Sequence, residues 1–451
     1  MSDHKANEQN SLNILEDLVK KALSKGAEAV DAVRVQGTST SVSFRLGELE
    51  EVERSEAHDL GLRVLIGKKQ AFVSSNDTKE TVLDELVDRA LAMARNMPED
   101  EYCGLADPAL LATHIPELDL YDATERSAEE LAESARIAEE AALAVDGITN
   151  SEGSSASFGH SSIALATSGG FRGTYSGSNH SVGISVIGGE GTNMERDYDY
   201  DSRRHFGDLR SPADIGRVAA ERTVKNLNPQ KMPSANVPVI YSNRVSSSII
   251  GHFSGAISGA AVARGTSFLK DKMDAQVFGS NINIVDDPHR IRGAASKAFD
   301  GEGVRNGRLN LIEEGSLTSW ILNSASARQL GLESNGRASR GTSSPPGSST
   351  TNLYMEAGDC SVQDLIEDIK SGLFITSLIG FGVNGVTGDY SRGASGFWIE
   401  NGEISFPVSG LTVASNLSDM FMNLTPADDL EFKFGTNAPT LRIEGMMVAG
   451  T

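Results

Sequence analysis

Apolar residues first recur every three to four positions and then every second position, and this change of rhythm happens twice. Leu12, Leu15, Val19, Ala22 and Leu23 share one face of a helix over residues 11–26, with Gly26 as its stop. Strand-like runs follow at 30–36, 41–46, 49–55, 61–66 and 70–75. Their short connections carry Gly37, Gly47 and Gly67-Lys68, which predicts an antiparallel meander. A helix over 78–96 closes this unit before Pro98. The second round starts at Ser127, which with Glu130 forms a capping box for a helix reaching Ala144. Strands are predicted at 146–158, 161–167, 171–176 and 181–187, then a helix at 211–227 before Pro229. GLRVLIG at Gly61 and GISVIGG at Gly183 hold matching places. Residues 1–229 therefore read as two helix–antiparallel meander–helix modules, about 11–97 and 127–228, in an α+β fold with helices on one sheet face. Such meanders end in strands whose edges an extended peptide can join.

Pro229, Pro233 and Pro238 mark a linker, and residues 235–451 form a second, β-rich domain. After a strand at 237–241 comes NRVSSSIIGHFSGAISGAAVARG, residues 243–265. Val245, Ile249, Phe253 and Ile257 make one stripe of a buried helix, with His252 beside it. The glycines and serines around them predict close approach of another backbone. Beyond it, strands are expected at 308–313, 316–323, 351–355, 396–400, 403–408, 431–434 and 441–445, and helices at 361–369 and 411–424. SRGTSSPPGSST, residues 339–350, predicts an exposed, mobile loop.

Composition narrows the class. The 451 residues carry a formal net charge of −22, which argues against nucleic acid and anionic membrane as partners. It should steer basic or neutral ligands toward the chain. Cys103 and Cys360 are too few for a disulfide framework or a cysteine metal knuckle. MSDHKANEQN offers no signal peptide and no apolar run approaches membrane-spanning length, so a cytoplasmic protein is expected.

Several short strings suggest chemistry and fail on context. GLRVLIGKK has five residues between its glycines where a phosphate loop has four, and it continues as a strand. GFGVNG, 380–385, has dinucleotide-loop spacing but is followed by loop sequence instead of a helix. DYDYD, 197–201, lacks the glycine of a calcium loop, since Ser202 stands there, and reads as a strand with a solvated acidic face. No G-x-S-x-G elbow occurs. In the 243–265 helix, Ser247 and His252 are separated by roughly 140° and form no dyad. A peptidase helix of this kind would hold zinc through two histidines with a glutamate as base. Here Ser247, Ser248 and His252 give one candidate ligand, and a lone histidine cannot fix a catalytic zinc.

The longer strings are more specific. AFDGEGVRNGRLNLIEEGSLTSWILNSASARQLG from Ala298, GDYSRGASGFWIENGEISFPVSGLTVASNLSDMF from Gly388 and PTLRIEGMMVAGT from Pro439 resemble the TldD/PmbA family. The TldD branch carries His-Glu-x-x-x-His on this helix. The resemblance puts its last histidine on His252 and its first His and Glu on Ser247 and Ser248, as in the PmbA (TldE) branch, the partner lacking the zinc motif. It implies no metal or cofactor in this chain and zinc in a TldD-type peptidase subunit as partner. It further implies a cytoplasmic complex, or a homodimer when the chain is alone, that degrades unfolded peptides and matures peptide precursors. The N-terminal domain would help enclose a peptide passage. The alternatives are a peptidase with a site of its own, built on carboxylates such as Asp300 and Glu302, and a non-catalytic peptide-binding scaffold.

Overall fold

The computed structural model describes residues 2–450. Its first half runs α1 (Ser2–Ser24), β1 (Ala29–Arg45), β2 (Glu48–Ile66), β3 (Lys69–Ser75), α2 (Glu80–Asn96), α3 (Ala128–Leu143), β4 (Ile148–Thr167), β5 (Arg172–Gly188), β6 (Glu195–Arg203) and α4 (Pro212–Lys225). These strands form one six-stranded antiparallel sheet ordered β3-β2-β1-β4-β5-β6, because β1 pairs with β4 along Asp31–Phe44. The expected breaks near Gly37 and Ala57 do not exist: Gly37 pairs with Ala57 inside two long, continuous strands.

Strand alternation decides what lies on each sheet face. On β1, Val30 and Ala32 pack under α1 and α2, and Val42 packs under α3 and α4. These even positions point one way, so all four helices cover one face. Val33 points the other way and joins Leu118, Leu165, Phe171 and Phe299, where the second half of the chain docks. Ser127 and Glu130 form the capping box of α3 as the sequence predicts.

The second half continues with β7 (Ala235–Tyr241), α5 (Ser247–Ala256), α6 (Gly259–Ala263), β8 (Ile284–Asp286), β9 (Leu309–Glu313), β10 (Ser316–Leu317), α7 (Ser324–Leu330), β11 (Ala338–Ser339) and β12 (Gly347–Ser348). Then come β13 (Leu353–Met355), β14 (Ser371–Ile379), β15 (Asp389–Glu400), β16 (Glu403–Asn416), α8 (Leu417–Met422), β17 (Leu424–Pro426), β18 (Thr436–Asn437) and β19 (Leu441–Ala449). β16, β15, β14, β7 and β19 are neighbours in that order, and β16 also pairs with β19, which closes a barrel. A smaller sheet, β10-β9-β8-β13-β18, stands beside it.

α5 is buried through Ile249, Ile250, Phe253 and Ala256, with Phe253 edge-on to Phe278 and Phe421. The helix expected over 243–265 is broken. Ser258 turns extended to pair with Ile321, and Gly259 starts α6 with its N–H on the Ile321 carbonyl. Close approach is confined to Gly259, where a Cβ would meet Ser326 Oγ at 2.6 Å; Gly251 and Gly255 face open space. The expected helix at 411–424 is strand to Asn416 and helix only at Leu417–Met422. Residues 362–368 form turns in place of a helix, and 431–433 form no strand.

The 339–350 segment is mostly irregular and is exposed at 341, 343–345, 347 and 349, as expected, but it is also tied down. It is a strap laid on the first sheet, anchored by β11–β12 pairing. Its Arg340 side chain is buried on Asp31 of β1, which also accepts Arg63 Nε from β2 at 2.6 Å. A side chain at Gly61 would run into the Thr342 backbone. Among the described residues no helix is long and apolar enough to cross a membrane.

Candidate functional site

α5 distributes its three candidate residues to different surroundings. Ser246 Oγ donates to the Ala438 carbonyl at 3.2 Å and ties the start of the helix to the segment after β18. One position on, Ser247 opens onto a cavity of about 340 Å³ with Tyr198, Tyr200, Arg244, Lys433 and Phe434. Ser248 turns back, its hydroxyl donating to the Val245 carbonyl at 2.7 Å. His252 lies half-buried with its ring edge-on to Tyr390, centroids 5.9 Å apart, and its Nε2 is buried without a partner. Burial first, and Arg392 second, push its pKa below the ordinary value, so the ring is neutral near pH 7. The three residues do not converge. Among the described residues no group of three or more His, Cys, Asp or Glu is placed to share a metal ion. Two hydroxyls and one imidazole on diverging faces do not fit zinc.

The cavity at Ser247 is one of three adjoining cavities that together form a trough. Through Tyr200, Lys433 and Phe434 it shares walls with a cavity of about 650 Å³ that adds Arg203, Arg204, Arg290 and Phe432. Through Asn179 and Arg204 that one joins a shallower hollow of about 280 Å³ on the helix-free face of the sheet. The floor of the hollow is Gly37, Ser39, Ala57, Gly159, Ser161 and Gly177, so the wall is smooth where strands cross. At Gly159 a Cβ would stand 3.0 Å from the Thr38 carbonyl, so the small residues there serve sheet packing as well.

The wall formed by β6 corrects the reading of DYDYD. Its acidic face is buried: Asp197, Asp199 and Asp201 are 8%, 8% and 3% exposed. Asp197 pairs with Arg244 at 2.5 Å, Asp199 with Arg210 at 2.6 Å and Arg222 at 2.8 Å, and Asp201 with Arg203 at 3.0 Å. The tyrosines take the outer face and line the trough. β6 ends the sheet, yet its edge is not open there: Arg244 and Arg210 donate to the Tyr198 and Tyr200 carbonyls at 3.1 Å each. A peptide cannot add to these carbonyls while the arginines hold them, which is a way of blocking a sheet edge.

Asp300 and Glu302 sit at the interface between the two halves as loop anchors. Asp300 accepts the Glu302, Val304 and Ala338 N–H groups at 2.9, 2.8 and 2.9 Å. Burial, then Glu302, push its pKa up to about 7, but both oxygens are committed to backbone donors. Glu302 accepts the Ser324 N–H at 2.8 Å and helps line a separate cavity of about 260 Å³. Arg204, Arg290 and Phe432 escape sequence reading because they come from three distant loops and match no local motif.

Known proteins share this plan. Residues 30–94, 121–227 and 234–450 match, in turn, the families described as PmbA/TldA metallopeptidase domain 1, central domain and C-terminal domain. Metalloprotease PmbA of Escherichia coli O157:H7 is 38% identical over 442 residues, covering 97% of this chain and 96% of that protein. A metalloprotease PmbA homolog of Haemophilus influenzae is 38% identical over 450 residues, covering 99% and 97%. The crystal structure of TldE from Thermococcus kodakarensis superposes with a TM-score of 0.85 at 21% identity, covering 97% and 100%, a likeness of fold.

Proposed function

Because this chain belongs to the PmbA/TldD metallopeptidase family, in its PmbA branch, we propose that it is the metal-free subunit of a heteromeric peptidase. A TldD-type partner supplies the zinc and the bond-breaking chemistry. This chain shapes the path along which an unfolded peptide reaches it, for degradation or for maturation of a precursor. Taken as two units, 1–229 and 235–451, the chain forms that path along their seam.

The observation that supports the reading is that the trough runs from the helix-free sheet face to Ser247, where the resemblance to the TldD branch puts that branch's first histidine. An extended peptide suits such a trough, since a folded domain cannot enter it. Tyr198 and Tyr200 offer amphipathic walls that hold many sequences. The zinc-binding family name does not transfer to this chain's own chemistry, because Ser247 and Ser248 offer only hydroxyls.

The test compares the partner alone, this chain alone and the mixture on one unfolded peptide and one folded protein, with zinc measured in each preparation. We expect zinc in the partner only, and rapid cleavage of the unfolded peptide by the mixture only. A partner that cleaves as fast without this chain would sink the proposal, as would cleavage by this chain alone.

A further inference from the structure

The cations of the middle cavity are not all neutralised. Arg203 pairs with Asp201, Arg292 with Asp119 and Asp208, and Lys433 with Glu431. Among the described residues Arg204 makes no ion pair; its guanidinium donates to the Ser178, Gly293 and Ala294 carbonyls at 3.2, 3.4 and 2.6 Å. Arg290 is stacked, its guanidinium carbon 3.4 Å from the centre of the Phe432 ring and 5.7 Å from that of Tyr354. Among the described residues it makes no ion pair.

Two guanidiniums without a carboxylate, in one cavity of a chain with 62 acidic residues against 40 basic ones, call for an anion. Burial depresses the pKa of Arg204, the sign of a charge set in a poorly solvated place without a counter-ion. Stacking on Phe432 fixes the plane of Arg290 and leaves its N–H edge free, which suits a carboxylate accepting two parallel bonds. The net charge of −22 acts at long range and is screened within about 8 Å at physiological salt, whereas contact inside the cavity is screened far less.

We propose that the Arg204–Arg290 cavity binds a carboxylate of the peptide lying in the trough, so that acidic peptides are preferred substrates despite the acidity of the chain. The site would set register: a carboxylate held here leaves the neighbouring residues on the sheet-floor side and on the Ser247 side. This inference rests on the reading of the trough as a peptide path. The carboxylate can come from a Glu or Asp side chain or from the peptide's C-terminus.

Fluorescence anisotropy on the full chain separates these cases with three labelled ten-residue peptides of one Gly/Ser/Ala background. The first has a central Glu pair and an amidated end, the second a Gln pair and an amidated end, the third a Gln pair and a free carboxylate. The Glu peptide should bind about tenfold tighter than the amidated Gln peptide, about 1.4 kcal/mol. The gap should close in Arg290→Gln and in Arg290→Leu, two variants that keep an unbranched or apolar stem over Phe432. A gain seen only with the free carboxylate would support the site and assign it to the C-terminus. Equal binding of all three peptides, or a gap that survives both substitutions, overturns the carboxylate site and leaves the peptide path standing. If none of the three binds, the path falls with it.

Discussion

His252 keeps a basic side chain in a place that resists its charge. Its Nε2 is buried without an acceptor, and both burial and Arg392 disfavour the imidazolium. The sign of the pH effect follows. The folded pKa lies below the ordinary value of about 6.5, so above that value neither state binds the proton and folding gains nothing. As pH falls through it, the unfolded chain binds the proton first and stability drops. Urea midpoints at pH 7.5 and 5.5 should therefore fall less in His252→Gln than in the parent chain. His180, whose pKa burial also depresses, contributes to both proteins and cancels in the difference. Equal losses would show that His252 does not feel this environment, and lost cleavage by a reconstituted complex of unchanged assembly would give it a part in the chemistry. Residue geometry was partly legible in the sequence. The angle between Ser247 and His252 follows from helix pitch alone and matches their separate surroundings. The direction of DYDYD was not legible, because a two-residue period groups the aspartates on one face without saying which face is inside. That was decided by Arg244, Arg210 and Arg222, residues outside the strand.

At the level of elements, glycines divide by what stands opposite them, and this gives substitutions of opposite sign. Gly61 lies in β2 under the strap, where an added Cβ would collide with the Thr342 backbone. Backbone cannot rotate away as a flexible side chain can, so Gly61→Ala should cost about 1–3 kcal/mol by overpacking. Gly251 lies in α5 with nothing within 4 Å of a Cβ, so Gly251→Ala should stabilise by about 0.5–1 kcal/mol through helix propensity. Denaturant unfolding of both variants checks the pair. A stable Gly61→Ala would mean the strap is not seated on the sheet, and a destabilised Gly251→Ala would mean α5 is approached closely after all. The same contrast explains which elements could be read. The capping box at Ser127 and most of the apolar face of α1 are local signals, and they survive, although Leu23 is exposed and Leu18 is buried in its stead. The anchoring of the strap was not legible, because SRGTSSPPGSST looks like loop and is largely loop, while its fixing point, Asp31, lies more than 300 residues away. The interruption of α5 at Ser258 likewise depends on Ile321, which no periodicity announces.

At the scale of the whole molecule, composition and placement of charge say different things. The net charge of −22 is read from the sequence, but the inward turn of acidic groups and the gathering of arginines along the seam are tertiary facts. One deeply buried cluster ties the two halves together. Asp31 on β1 is bound by Arg63 on β2 and by Arg340 from the strap, and the Asp31 and Arg340 side chains are each 2% exposed. Burial works against the charge of Asp31, but Arg340 and Arg63 outweigh it and hold the carboxyl below its ordinary value. Its contribution is thus present above about pH 4, the ordinary carboxylate range, and lost as pH falls toward the folded value. Asp31→Asn removes the anion that both guanidiniums contact and leaves them facing each other in a buried place. Breaking a buried pair in this way costs about 3–5 kcal/mol, more than the pair itself contributes over a well-packed apolar replacement. Because one of the three residues comes from the second half, the loss should also weaken coupling. Calorimetry should show the single transition of the parent chain lowered and split in Asp31→Asn, while the combined replacement of Asp31, Arg63 and Arg340 by Leu, Met and Met recovers much of the loss. A shift below about 1 kcal/mol with one sharp transition would show that the halves are held together elsewhere, by contacts such as the Arg204 bonds to Gly293 and Ala294.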